Sequence, residues 1–263
     1  MEQLVQWSYD RYTNIELVDG EEEEKEEDTY RVHPHDIMRA NQLAGPLLLK
    51  IVSGEMLLED DLDDERSNRA ARLLAHLSGR GGFKTWGAAP LLAKKLLQQN
   101  IIPDIASRDI LELGTGTGMV GLVCDKMGAQ SVQVTDYHPS VLENVAVNVA
   151  LNEAKATVSK LDFVEVANSQ APEWIAKRFD IVIASDLLYE MEHAENLPVA
   201  VDMLMENEFY FMIPLRDTHW PEVHRFEEKM EQLGLQQRLC IDSERQEEEG
   251  IVRYRYYEYT RLP

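Results

Sequence analysis

Apolar segments that end at glycines or acidic residues alternate with helical patterns through the middle of the chain. Residues 109–114, 131–136 and 179–186 have the length and the apolar, often β-branched composition of buried strands. The segments that follow the first two have apolar residues at helical spacing instead. Because strands that alternate with helices build a parallel sheet covered on both faces, this order predicts an α/β fold.

Four further runs complete the set of predicted strands: residues 157–163, 208–214, 235–242 and 251–260. The last two are separated only by the polar segment SERQEEEG, which leaves no room for a crossover helix. They are therefore predicted to pair as an antiparallel hairpin. The sequence thus predicts a Rossmann-like, seven-stranded, mostly parallel sheet with helices on both faces and an antiparallel C-terminal hairpin.

A different kind of sequence precedes this alternation. Residues 36–50 and 58–77 have apolar residues at helix-like spacing, without strands between them. A glycine-rich segment then leads into a helical pattern over residues 88–99. We assign residues 1–82 to a helical or mixed N-terminal extension and residues 83–263 to the main domain.

The charge of the chain is strongly negative. It has 48 acidic and 26 basic residues, a formal net charge of -22, which disfavours direct binding to nucleic acid and favours a partner with a basic surface. Residues 21–28, EEEEKEED, are predicted to be a solvated loop or a disordered insertion, with a docking tail for a basic substrate as the alternative.

The cysteine content and the lack of long apolar segments indicate the cellular compartment of the protein. The two cysteines, Cys124 and Cys240, are too few for a disulfide framework and are predicted to be buried thiols in a reducing compartment. The first 20 residues lack the pattern of a signal peptide, and no window approaches about 18 uninterrupted apolar residues. We expect a cytoplasmic or nuclear protein that is not bound to a membrane.

The turn after the first predicted strand contains three alternating glycines. In the segment LELGTGTG these are Gly114, Gly116 and Gly118, and without a Cβ they allow a tight turn and a close approach of the backbone to a ligand. A glycine loop alone fits a structural turn equally well. Asp136, however, ends the second strand 22 positions after Gly114, where a carboxylate can accept hydrogen bonds from a ribose diol. Together these features predict a site for a nucleoside-bearing cofactor.

The glycine spacing disfavours a dinucleotide. The dinucleotide pattern G-x-G-x-x-G would need a glycine at Met119. The pattern that begins at Glu112, E-x-G-x-G-x-G, instead resembles motif I of the class I, seven-β-strand S-adenosylmethionine-dependent methyltransferases.

A second resemblance is narrower. The segment FDIVIASDLLYE is similar to the D-x-x-Y motif of methyltransferase family 16, a group of protein lysine methyltransferases, and Asp186 and Tyr189 match it position for position. The segment KTWGAAPLLAKKLL resembles the family's tryptophan followed by a helix. The resemblance covers about residues 83–215.

The resemblance implies an enzyme that transfers a methyl group from S-adenosylmethionine to a lysine side chain of a protein. Asp186 would orient the amine, and Tyr189 would offer its ring and hydroxyl to the partly methylated cation. Asp162 would lie near the adenine amino group, and Trp86 beside the cofactor, although Trp86 would also fit plain core packing. The implied cofactor-binding residues are Trp86, Glu112, Gly114, Thr115, Gly116, Gly118, Asp136, Tyr137, Asp162, Phe163 and Ser185.

Partners and alternatives stay open at this point. The family resemblance implies a translation factor, a chaperone or a ribosomal protein as substrate. We expect the protein to be a monomer. We also expect no metal, since no histidine has zinc-ligand spacing with a cysteine. Two alternatives are methylation of a small amine and a non-catalytic acidic binding module. Arg216 and His219 follow the fifth predicted strand, where the class I methyltransferases that the chain resembles often place substrate contacts; they are interpreted as loop residues, with a substrate contact as the alternative. The tyrosines of residues 254–259 are interpreted as strand residues that could contact a partner.

Overall fold

The computed structural model describes residues 87–247 and 250–261. The predictions for residues 1–82, including the acidic segment 21–28, lie outside this part of the chain, as does Trp86. Among the described residues no helix has the length and apolar character needed to cross a membrane. The elements, in chain order, are α1 (Ala88–Gln99), a 3-10 turn (Ile105–Ser107), β1 (Asp109–Leu113), α2 (Met119–Lys126), β2 (Ser131–Asp136), α3 (Pro139–Leu151), β3 (Thr157–Lys160), α4 (Phe163–Ala167), β4 (Phe179–Ser185), α5 (Met191–Leu204), β5 (Met205–Leu215), α6 (Trp220–Gln232), β6 (Leu235–Glu247) and β7 (Gly250–Arg261).

The strands form one seven-stranded sheet in the order β3-β2-β1-β4-β5-β7-β6. The first five strands in this order are parallel to one another, and β7 is antiparallel to both β5 and β6. This confirms the predicted mostly parallel sheet with its C-terminal hairpin. The strand order reverses between β1 and β4, the place where open α/β sheets hold their ligands.

The core consists of two hydrophobic clusters, one on each face of the sheet. Neighbouring residues of one strand belong to different clusters, as Leu111 and Ile110 of β1 show, because successive side chains of a strand point to opposite faces. Helices α4, α5 and α6 contribute to the first cluster, and α1, α2 and α3 to the second. Helices therefore cover both faces, as predicted.

The hairpin is longer than predicted. Residues 243–247, predicted as part of a polar link, belong to β6 and continue its pairing with β7 to the pair Glu247 and Gly250. Because β6 is an edge strand whose residues are largely exposed, polar side chains there face water and do not oppose strand formation.

Two predictions about side chains in this hairpin are wrong. Cys240 is exposed on β6, whereas Cys124 is buried as expected. The tyrosines of β7 are not available to a partner, because they are buried against the two faces of the sheet; they are Tyr254, Tyr256, Tyr257 and Tyr259.

Helix α5 was not predicted from the sequence. Pro198 lies inside it and cannot donate the backbone hydrogen bond of a helix interior. Ala194, Leu197 and Val201 are nevertheless fully buried on its inner face, at the spacing of an amphipathic helix. This packing outweighs the disruption by the proline.

Candidate active site

The carboxyl ends of β2, β1 and β4 lie side by side at one edge of the sheet. Glu112 of β1 is paired with Val134 of β2 and with Ile183 of β4. The loops that follow β1 and β4 therefore start next to each other, and Leu187 after β4 packs against Gly114 after β1. The glycine loop and the D-x-x-Y segment thus form one continuous site region.

The glycine loop has a backbone that only glycine adopts without strain. Gly114, Gly116 and Gly118 have φ angles of +59°, +54° and +85°. The loop is fixed by two backbone hydrogen bonds, from the Thr115 amide to the Thr135 carbonyl and from the Gly118 amide to the Thr115 carbonyl, both 2.8 Å. The start of α2 is thereby held directly behind the bend.

The three glycines face different surroundings. A Cβ at Gly114 would collide with the side chain of Leu187, and one at Gly118 with Val145. At Gly116 no heavy atom of the described residues, apart from Gly116 itself and its two neighbours in the chain, lies within 4 Å of the position that a Cβ would take. The middle of the loop therefore presents bare backbone to open space, which suits the close approach of a ligand.

Gly116→Ala is expected to weaken the binding of S-adenosylmethionine about ten- to a hundredfold, because the added methyl would fill the space beside the loop. Gly128→Ala is the matched control: Gly128 also has a positive φ, +89°, and open space at its Cβ position, but it ends the turn after α2. Both variants carry the same kind of backbone strain. Calorimetry that shows equal affinity in the two variants would contradict a cofactor position at Gly116.

Glu112 supports the loop from behind. Its side chain is buried, and Oε2 accepts hydrogen bonds from the Thr115 hydroxyl (2.5 Å) and the Gly121 amide (3.0 Å). Burial raises the pKa of Glu112 to about 7, although these two hydrogen bonds act in the opposite direction. The contacts of Glu112 thus join the loop to α2.

Asp136, at the end of β2, faces the glycine loop. Its Oδ2 accepts a long hydrogen bond from the Gly116 amide (3.4 Å), and its Oδ1 accepts one from the His138 amide (3.1 Å). Burial raises the pKa of Asp136, while the amides of His138, Gly116 and Tyr137 lower it. Each carboxylate oxygen has a second lone pair, so the group can still accept from a ribose diol.

The remaining predicted cofactor residues that the structure describes lie at or after the ends of β2, β3 and β4. Tyr137 is 59% exposed, and Asp162 accepts a hydrogen bond from the Val164 amide (2.8 Å) at the start of α4. Phe163 is half-buried with its ring edge-on to His193, 5.5 Å between centroids. Ser185 is half-buried at the end of β4. The roles of these four residues in cofactor binding stay predictions.

Asp186 lies at the junction of three parts of the chain. It follows β4 directly with a φ of +54°, and its amide donates to the carbonyl of Met212 on β5 (3.0 Å). Its Oδ2 accepts a hydrogen bond from the amide of Ala88, the first residue of α1 (3.0 Å). The buried carboxylate is therefore held in a fixed position, in a backbone conformation that costs free energy for any residue other than glycine.

Tyr189 is the tyrosine of the D-x-x-Y motif, and both the negative charge of Asp186 and the positive charge of Arg216 act on it. Burial is the main cause that raises the pKa of its hydroxyl; the charge of Asp186 raises the pKa further, and the charge of Arg216 lowers it. The Arg216 guanidinium lies over the Tyr189 ring, 5.5 Å from the centroid. The ring of His193 is edge-on to that of Tyr189 at 6.3 Å.

His193 is a site residue that the sequence analysis missed, and Arg216 is one for which it favoured the wrong alternative. Arg216 was interpreted as a loop residue, but it follows β5, the neighbour of β4, so its loop starts at the same edge as the D-x-x-Y segment. His193 stands four positions after Tyr189 and accepts a long hydrogen bond from the Tyr189 amide (3.4 Å). His219, beside Arg216 in the sequence, contacts the hydroxyl of Thr218 at the start of α6.

The sheet order, the glycine loop and the acid at the end of β2 together define a nucleoside-cofactor fold of the class I methyltransferase type. A ribosomal protein L11 methylase from Lactobacillus delbrueckii subsp. bulgaricus has this fold in common with the chain, with a TM-score of 0.51 at 17% identity over 67% of this chain and 79% of that one. The family model described as lysine methyltransferase matches residues 72–232. The chain therefore belongs to the lysine methyltransferase family.

Two relatives share part of the sequence. The protein-lysine N-methyltransferase rrg1 of Schizosaccharomyces pombe is 33% identical over 173 residues, which is 60% of this chain and 54% of the relative. The protein-lysine N-methyltransferase EEF2KMT of Mus musculus is 35% identical over 140 residues, 48% of this chain and 40% of the relative. The matched segments thus span about half of each relative's own length.

Proposed function

We propose that this protein transfers a methyl group from S-adenosylmethionine to a lysine side chain of a protein substrate. The observation that carries the proposal is the juxtaposition of the two halves of the site. The bare loop at Gly116, with Asp136 beside it, is joined to the segment of Asp186 and Tyr189 through the contact of Leu187 with Gly114. A cofactor held by the first half would have its reactive end near the second.

The chain's own residues suit the nucleoside part of the cofactor. Asp136 would accept hydrogen bonds from the ribose hydroxyls, while the glycine loop would let the ligand approach the backbone. Tyr137, Asp162 and Phe163 follow the ends of β2 and β3 and would surround the base. When bound, S-adenosylmethionine supplies a methyl group on a sulfonium sulfur, an electrophile for a neutral amine.

The acceptor must lose a proton before it can react. An ordinary lysine amine has a pKa of about 10.4, so bringing it to the neutral form at pH 7.4 costs roughly 4 kcal/mol. Asp186 would accept a hydrogen bond from the amine and so direct its lone pair, and Tyr189 would form an apolar wall with a hydroxyl at its edge. No covalent bond to the enzyme is needed, because positioning supplies most of the rate enhancement.

The acidic character of the chain supports a basic protein as the substrate. A net charge of -22 would attract a basic surface over distances longer than a single contact. The relatives are named as protein-lysine N-methyltransferases, which supports a protein acceptor. We propose a translation factor, a chaperone or a ribosomal protein as the substrate class, a monomeric enzyme, and a cytoplasmic or nuclear location.

Incubation of a whole-cell lysate with the purified protein and S-adenosylmethionine labelled in the methyl group tests the function. We expect label in one or a few protein bands, and methyl-lysine after acid hydrolysis of those bands. Heat-treated enzyme is the control for background labelling. Label found only in small molecules would replace the proposal with a small-amine methyltransferase, and no binding of S-adenosylmethionine in calorimetry would indicate a non-catalytic binding module.

A further inference from the structure

We infer that Arg216 lowers the pKa of the substrate amine in the acceptor site, which we define as the space beside Asp186 and Tyr189. Arg216 would thereby raise the rate of methyl transfer at neutral pH. This inference rests on the proposed lysine methylation. It concerns a residue outside both the glycine loop and the D-x-x-Y motif.

The negative charge of Asp186 would raise the pKa of the substrate amine, and Arg216 would act against this effect. A carboxylate next to an amine stabilises the ammonium form and raises its pKa, which is the wrong direction for a nucleophile. Asp186 is buried at 6% exposure and held by the Ala88 amide, so it cannot move away from the acceptor site. A compensating positive charge is therefore needed nearby.

Arg216 is placed to provide this charge. Its guanidinium lies 5.5 Å from the centre of the Tyr189 ring, and both Arg216 and Asp186 act on the Tyr189 hydroxyl with opposite sign. An amine beside this hydroxyl lies in the field of both groups. A positive charge this close to the ring disfavours a second cation, so Arg216 would offset part of the larger effect of Asp186 and lower the pKa of the amine.

The position of Arg216 also explains why an arginine suits this role. A guanidinium stays charged at every pH at which the enzyme could work, and a planar group can stack on the Tyr189 ring. In the part of the chain that the structure describes, the other charged or titratable groups around Tyr189 are Asp186, His193, whose ring is edge-on to it, and Glu190, which follows it in the chain and is exposed. Among the described residues whose ring or cation contacts this ring, Arg216 is the one with a permanent positive charge.

The test is the pH dependence of kcat for Arg216→Gln, with the labelled protein purified from the lysate as the acceptor. We expect the variant to be about tenfold slower than the wild type at pH 7.4 and the difference to close as the pH rises to about 9.5, because the apparent pKa of the bound amine rises by about one unit. Arg216→Lys should keep most of the wild-type profile. Calorimetry should give all these variants the wild-type affinity for S-adenosylmethionine.

Two control variants separate this role from a structural one. Arg253→Gln removes the same charge from β7, next to the end of β5, where Arg253 pairs with Asp217 (3.5 Å), and it should not shift the profile. The shift caused by Arg216→Gln should also persist in a His193→Gln background, which removes the other titratable ring.

Three results would overturn the inference alone: an equal loss for Arg216→Gln at every pH, an unchanged profile, or an equal shift for Arg253→Gln. If the wild-type enzyme labels no protein in the lysate, the proposed function fails, and this inference fails with it.

Discussion

Asp186→Asn is expected to lower kcat for methyl transfer about a thousandfold, while the affinity for S-adenosylmethionine stays close to that of the wild type. The reason lies in the hydrogen bond from the Ala88 amide to Oδ2 of Asp186. An asparagine has one carbonyl oxygen, which this amide would engage, and its other terminal group is an NH₂ that can only donate. The substituted side chain would therefore fit the same place, but it would turn a donor toward the position where the carboxylate offers its second acceptor oxygen, and it would carry no negative charge to hold the substrate amine.

The substitution should leave the fold intact. Asparagine tolerates the left-handed backbone that Asp186 adopts, with its φ of +54°. Asp180→Asn is the matched control, because Asp180 lies on the same strand, near its opposite end, and accepts a hydrogen bond from the Asp109 amide. Single-turnover rates and calorimetry should separate the two variants. A rate for Asp186→Asn within tenfold of the wild type would remove Asp186 from the role that we give it.

Glu112→Gln is expected to stabilise the protein at alkaline pH and to have little effect at acidic pH. The pKa of Glu112 rises from an ordinary value of 4.5 to about 7 in the folded protein. The unfolded chain therefore loses its proton at lower pH than the folded one, and ionisation favours unfolding. The penalty is absent below about pH 4.5 and complete above about pH 7, so the wild type should lose about 2 to 3 kcal/mol relative to the variant between pH 5 and pH 8.

Urea unfolding of both proteins at these two pH values measures the difference directly. Glu195→Gln is the control with the opposite expectation, since Glu195 is an exposed carboxylate whose pKa is lowered by its hydrogen bond with Arg225. Its removal should not stabilise the protein at pH 8. A pH-independent difference between Glu112→Gln and the wild type would show that Glu112 is not neutral in the folded state at low pH.

The sheet could be predicted because each strand has its own local pattern. The β-branched run of β2, the wholly apolar β4 and the short link before β7 each indicate the type of element and its neighbours without reference to the rest of the chain. The glycine loop and Asp136 could be predicted for a similar reason. Their backbone requirements and their spacing along one βαβ unit follow from geometry that many nucleoside-binding folds share.

The rest of the site could not be predicted because it depends on contacts between distant parts of the chain. Arg216 reaches Tyr189 only because β5 lies beside β4, and nothing in the sequence around Arg216 indicates that the guanidinium would lie over an aromatic ring. Helix α5 was not predicted, and it forms although Pro198 lies inside it, since tertiary packing outweighs the helix propensity of one residue. Cys240 was misplaced because cysteine composition does not reveal which strand forms an edge.

A hydrogen bond between residues 98 positions apart, from the Ala88 amide to Asp186, joins helix α1 to the acceptor site. The amide concerned belongs to the first turn of the helix, where backbone donors have no partner within the helix itself. A shift of that turn by a few ångströms would break this bond, leave a donor unsatisfied and change the hydrogen bonding of Asp186. The position of α1 and the ability of Asp186 to accept a hydrogen bond from an amine thus depend on each other. A ligand or mutation that tilts this helix would therefore change the rate of methyl transfer without contacting the acceptor site.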